Sequence, residues 1–177
     1  MKKTVRGIDE RVSRLVARLP IVWKPFFTPI TVAGNPEITF SISGVLILLG
    51  VMLESTEILY FGVIALLTLS IGTATKLSFR RNRPDTQYVS DMKLKSYSFP
   101  SGHSVGSMII YGGFGWLSIQ TVGGIFGVTA AALLFVFSLV IGVSRVYLGA
   151  HYASDVVGGW TLGLIGIAAM VAAIPLV

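Results

Sequence analysis

Between Ser104 and Ser144 the chain runs for 41 residues without one charged side chain. As a single helix this run would be about 60 Å long, twice the ~30 Å apolar core of a bilayer. It must fold back on itself, and Gln120-Thr121-Val122-Gly123-Gly124 supplies the turn. The two halves, near 103–121 and 125–143, each match one membrane crossing. Three more apolar stretches have the same length: Pro36–Leu53 bounded by Glu37 and Glu54, Ile58–Thr75 bounded by Glu57 and Lys76, and a last one from about Val156 to Val177. Hydrophobic residues make up 53% of the 177-residue chain and charged residues only 12%, against about 25% charged in a soluble domain. With a mean hydropathy of +0.78, too few polar residues remain to cover a water-facing surface. The expected fold is therefore all-α, a polytopic membrane helix bundle of about five spans.

The first 35 residues read differently. MKKTVRGIDERVSRLVARL carries charges throughout and has no apolar core of a signal peptide. Ile8, Val12, Leu15 and Leu19 share one helical face, with Arg11, Arg14 and Arg18 mostly elsewhere. That pattern suits a helix lying in the membrane interface, or one packed on the protein's own end, and the two are compatible. Residues 20–35 are too short and too rich in proline to span, which points to a re-entrant or interfacial segment. The chain thus divides into an N-terminal amphipathic segment, 1–35, and a membrane domain, 36–177. Gly102/Gly106 and Gly159/Gly163 are spaced four apart, as small residues are where helices approach closely.

The absence of cysteine excludes disulfides, thiolate chemistry and Cys-type zinc sites. The net charge of +6 points, in a membrane protein, to anionic lipid headgroups or a phosphorylated substrate rather than nucleic acid. Five spans place residues 1–35, 76–102 and 144–155 on one side. All 14 Lys and Arg then fall on that side, and both histidines with them.

Three segments meet there: KLSFRRNRP from Lys76 to Pro84, PSGH from Pro100 to His103, and SRVYLGAHYASD from Ser144 to Asp155. Lys76, Arg83 and Arg145 bring three cations to the membrane boundary, and an arginine fork matches phosphate oxygens. Ser101 and Gly102 precede a helix, whose first N–H groups face an anion. His151 and Asp155, four apart, lie on one face of a helix start, so the carboxylate can fix one ring nitrogen and leave the other free as nucleophile or base. His103, on another helix, can donate a proton to a leaving oxygen. Which histidine attacks stays open at this level. Two His and one Asp also form a known metal-ligand set, but three neighbouring cations would repel a divalent ion. Arg80, Arg81, Lys93 and Lys95 read as solvated charges flanking the spans. Taken alone, Asp155 reads as an N-cap of the last span.

Together the three segments resemble the type 2 phosphatidic acid phosphatase superfamily, the lipid phosphate phosphatases, whose signature is K-x6-RP, PSGH and SR-x5-H-x3-D. Lys76 with Arg83-Pro84, Pro100-Ser101-Gly102-His103, and Ser144-Arg145 with His151 and Asp155 fill every signature position. The resemblance covers residues 76–155 and is much weaker over 1–75; many relatives have six spans. It implies His151 as the nucleophile that becomes a phosphohistidine, Asp155 as its orienting carboxylate, and His103 as the acid for the leaving group. It implies Lys76, Arg83, Arg145, Ser101 and Gly102 as phosphate-binding groups, and no metal or other cofactor. The implied substrate is a lipid phosphate held in the bilayer: a prenyl diphosphate, phosphatidylglycerol phosphate or phosphatidate. Tyr88, Tyr97 and Phe99 in the 85–99 loop either line its entrance or anchor the interface. The alternatives are a phosphotransferase with an alcohol acceptor and a noncatalytic lipid-binding protein. The excess of Lys and Arg favours the cytoplasmic face of a cell membrane for the site, although many bacterial relatives act at the outer face. Oligomeric state has no marker in the sequence.

Overall fold

The computed structural model describes residues 2–16, 18–92 and 96–174. Every regular element among them is helical. An amphipathic helix α1 (Lys2–Val16) and a 3-10 turn (Ile21–Trp23) lead into α2 (Lys24–Ala33) and α3 (Pro36–Met52). Then follow α4 (Thr56–Phe79), a single turn α5 (Gln87–Ser90), α6 (Gly102–Thr121), α7 (Gly124–Tyr147) and α8 (Ala153–Ala173).

The five apolar stretches expected as spans form α3, α4, α6, α7 and α8. Among the described residues, four stretches are long and apolar enough to cross a membrane: Ile21–Met52, α4, α7 and α8. α6 is the helix the others surround. Every residue from Ser104 to Ile110 is buried, and α6 packs on α3, α4, α7 and α8. A helix that faces protein rather than lipid needs small residues for close packing more than it needs high hydropathy, which explains its serines and glycines. The outer helices keep an apolar belt exposed, including Leu48, Leu67, Leu133 and Ile165, as a lipid-facing surface requires.

The α6–α7 hairpin falls where the sequence places it. Gly123 and Gly124 take φ of +66° and +50°, which a residue with a Cβ adopts only at a cost. Residues 20–35 form the 3-10 turn and α2, which breaks from α3 at Gly34-Asn35 and lies against α7. At 10 residues, α2 is about 15 Å long and does not cross by itself. The last three residues of the expected final span lie outside the described residues.

α1 packs on the protein's own end. Its Asp9 side packs on α8 and α7, and Asp9 is buried, while Val5, Ile8 and Leu15 stay exposed.

The glycine pairs act at helix crossings. A Cβ on Gly159 would lie 2.7 Å from Ser104 Cβ and 2.8 Å from the Ser101 carbonyl, so α8 touches the first turn of α6 directly. Gly106 is equally tight against Thr39 of α3. We expect Gly159→Ala to lower stability by about 1–3 kcal/mol, as overpacking does, and to lower activity as well. Gly44→Ala, with nothing within 4 Å of the added Cβ, should leave both unchanged. Thermal melts in detergent with a parallel activity assay check this.

Candidate active site

The site is built at one end of the bundle from five chain segments. α4 ends at Arg80, whose φ of +45° and ψ of 37° turn the chain sharply away from the helix. The residues that follow, 81–86, carry no regular secondary structure. The Arg81 carbonyl accepts from Ser98 N–H at 2.8 Å, pairing this stretch with the segment before α6. Gly149, with φ of +73°, turns the end of α7 toward α8. The Arg145 carbonyl holds that turn by accepting from Ala150 N–H at 2.9 Å and His151 N–H at 3.3 Å.

His151 therefore sits in the turn before α8 rather than on the helix, yet it still meets Asp155. Its Nδ1 lies 3.6 Å from Asp155 Oδ2 and 3.4 Å from Ser98 Oγ. Its Nε2 lies 3.1 Å from Arg83 Nη1. An arginine nitrogen only donates, so Nε2 presents a lone pair and the ring proton sits on Nδ1 beside the carboxylate. His151 is 2% exposed. Burial pushes its pKa down to about 3; the neighbouring Asp155 carboxylate opposes this, and the charges of Arg83, Lys76 and Arg145 add to it. The imidazole is neutral at physiological pH.

Asp155 is fully buried. It is the third residue of α8, and its Oδ2 accepts from the N-cap Tyr152 N–H at 2.9 Å and from Ser98 Oγ. It does help cap the last span, from inside its first turn. Its Oδ1 accepts from Arg81 Nη1 at 2.8 Å.

The three expected phosphate-binding cations converge as expected, and each is steadied by neutral groups. Lys76 Nζ donates to the Pro100 carbonyl at 2.7 Å and the Tyr97 carbonyl at 3.2 Å. Arg83 donates to the Ser96 carbonyl at 2.8 Å, Ser96 Oγ at 2.9 Å and the Ala150 carbonyl at 3.0 Å. Burial and the charge of Arg145 hold its guanidinium below the ordinary arginine range, with Asp155 opposing. Arg145, 2% exposed, donates to Thr31 Oγ1 at 2.7 Å and Tyr88 OH at 3.3 Å. Its buried Nε has no partner. Among the described residues, none of these three cations bonds a carboxylate.

Ser101 caps α6, its Oγ accepting from Ser104 N–H at 3.4 Å. Gly102 opens the helix with Lys76 alongside; a Cβ there would be 3.8 Å from Lys76 Cε. His103 follows, its Nε2 2.8 Å from Asn35 Oδ1. The charges of Arg145, Arg83 and Lys76 act on both imidazoles. A cleft of about 680 Å³ opens beside Lys76 and Arg83, with Thr73, Leu77, Val89 and Tyr97 on its walls. Phe99 packs instead on Phe79, at 4.9 Å between ring centroids.

Arg81 corrects the sequence reading. It is not a solvated flank: its guanidinium bridges Asp9 and Asp155 and is 28% exposed. Arg80 is exposed as expected, and Lys93 and Lys95 lie outside the described residues. Ser98, Asp9, Thr31, Asn35 and Tyr88 complete the site and lie outside the three motifs. Among the described residues, no three His, Asp or Glu side chains gather as a metal cluster.

The sequence model of the PAP2 superfamily matches residues 57–176. Phosphatidylglycerophosphatase B of Bacillus subtilis is 26% identical over 168 residues, 91% of this chain and 80% of that protein. The crystal structure of the transmembrane PAP2-type phosphatidylglycerolphosphate phosphatase from Bacillus subtilis superposes with a TM-score of 0.71 at 26% identity, over 96% of this chain and 85% of that one. LpxE of Aquifex aeolicus shares the fold, with a TM-score of 0.67 at 21% identity over 92% and 93% of the two chains.

The neutral state of His151 carries a stability consequence. Between the ordinary histidine pKa of about 6.5 and the folded value of about 3, the unfolded chain takes up a proton that the native chain does not. Stability should thus fall as pH drops through this window, with no contribution from His151 above it. Melting curves from pH 8 to pH 4 should slope less for His151→Asn than for the parent; equal slopes would contradict the buried neutral ring.

Proposed function

The chain belongs to the PAP2 superfamily and is a membrane lipid phosphatase of that kind, and from this premise we propose that it works through a phosphohistidine on His151. The observation that carries the reading is the approach of Arg83 Nη1 to His151 Nε2 at 3.1 Å. A phosphoryl group bound by the Arg83 fork would displace this contact and meet the Nε2 lone pair that Arg83 marks in the empty protein. In the first step Nε2 forms the P–N bond while the P–O bond to the lipid breaks, and His103 gives the leaving oxygen its proton. Asp155 keeps the Nδ1 proton in place and stabilises the positive ring that results. In the second step water attacks phosphorus, His103 takes up its proton, and the P–N bond breaks to release phosphate. Lys76, Arg83 and Arg145, with the Ser101 hydroxyl and the Gly102 N–H at the start of α6, balance the charge on the phosphoryl oxygens.

The site lies at the end of the bundle, where a lipid can leave its tail in the bilayer and bring its headgroup to the cleft beside Lys76. Phosphatidylglycerol phosphate, named for the Bacillus subtilis relatives, is the leading substrate; prenyl diphosphates and phosphatidate are the comparators. His151→Ala should reduce phosphate release from phosphatidylglycerol phosphate by at least about 10⁴-fold, in line with loss of a catalytic nucleophile, while the protein still inserts and folds. Full activity in that variant would end the nucleophile assignment. Turnover should persist in excess chelator, and its loss would point to a metal.

The clustering of cations at the site end supports a cytoplasmic location for that end in a cell membrane. Removing the three phosphate-binding cations leaves 11 Lys and Arg on that side. The opposite end carries the exposed Val122, and the chain has no cysteine, so Val122→Cys gives a single reporter. It should react with a membrane-impermeant thiol reagent in intact cells. Protection until lysis would put the site outside.

A further inference from the structure

The reaction above uses Asp155 through one oxygen. Its other oxygen is bound by a network that reaches back to the first helix. Arg81 Nη1 donates to Asp155 Oδ1 at 2.8 Å, and Arg81 Nη2 donates to Asp9 Oδ2 at 2.6 Å. Asp9 is 1% exposed. It also accepts from Ser154 N–H at 3.0 Å and Ser154 Oγ at 2.7 Å. Ser154 Oγ accepts in turn from Arg81 Nη1 at 2.6 Å. The Tyr152 ring covers the guanidinium at 4.3 Å from its centroid.

We propose that Asp9 and Arg81 are positioning residues for Asp155, and so for His151. A guanidinium held at both terminal nitrogens by two carboxylates has a fixed plane. Fixing it sets the Asp155 carboxylate so that Oδ2 faces His151 Nδ1. The network has a second effect. Arg81 takes up both buried carboxylates, so neither is drawn to Lys76, Arg83 or Arg145, and these three keep their charge for phosphate. α1 is on this view part of the catalytic unit and not only a membrane anchor. The inference rests on the reading of His151 as nucleophile.

The test measures steady-state hydrolysis of phosphatidylglycerol phosphate in detergent micelles, with melting temperatures for every variant. Asp9→Asn and Arg81→Gln should each lower kcat by about 10–100-fold, the range for loss of an orienting partner, while KM changes by less than about twofold. Asp9→Glu should recover most of the loss, because it restores a carboxylate beside the guanidinium. The double variant should be no slower than Arg81→Gln alone, since both act through one guanidinium. A kcat within about twofold of the parent in both single variants would overturn the proposal. So would a loss matched by an equal loss of folded protein, or additive losses in the double variant. His151→Ala in the same assay separates the two claims: if it is inactive while Asp9→Asn is normal, only the positioning role fails. If it is active, the underlying mechanism fails first.

Discussion

The site depends on how buried charge is sorted. Two buried carboxylates, Asp9 and Asp155, both bind Arg81. The other cations, Lys76, Arg83 and Arg145, bond carbonyls, hydroxyls and one imidazole. In a low-dielectric setting an unpaired carboxylate would seek the nearest cation, because the attraction is far stronger than in water. By saturating the carboxylates with one guanidinium, the fold leaves a pocket of uncompensated positive charge. Such a pocket suits a dianionic phosphoryl group.

The helices supply the precision this sorting needs. α6 is the central post, and its first residues, Ser101 to His103, carry one wall of the site. Gly159 lets α8 touch that turn, so Asp155 at the start of α8 is set against PSGH by backbone packing. The Ser101 N–H, bonded to the Asp155 carbonyl at 2.9 Å, ties the two helix starts together. Asn35 stands where a helix N-cap belongs, but its side chain makes no cap bond and reaches His103 instead. Local helix chemistry is set aside there in favour of the site.

Most of the bundle is legible because apolar periodicity and chain length are strong signals in a membrane. A charge-free run of 41 residues can only fold back, and the glycine pair marks where. The three motifs are legible because their spacing is fixed by local turns: Lys76 to Arg83 by the end of α4, His151 to Asp155 by the start of α8. What the sequence hides is pairing over long distances. Asp9 and Arg81 are 72 residues apart, and Thr31 and Arg145 are 114 apart. An aspartate in an amphipathic helix and an arginine in a basic flank look like surface charge until the fold brings them together. Ser98 looks like an ordinary loop serine, and only its burial against Asp155 shows otherwise.

The central claim is a covalent bond between phosphorus and His151 Nε2, and the most direct measurement is to trap it. The protein would be mixed with a lipid phosphate labelled at phosphorus, quenched in alkali within milliseconds, and digested for peptide mass spectrometry. A phosphohistidine is stable in alkali and lost in acid. The predicted result is stoichiometric label on the peptide carrying His151, lost on acid treatment and missing from His151→Ala. Label on His103 or on a serine, or rapid turnover with no protein-bound phosphorus at any quench time, would contradict it.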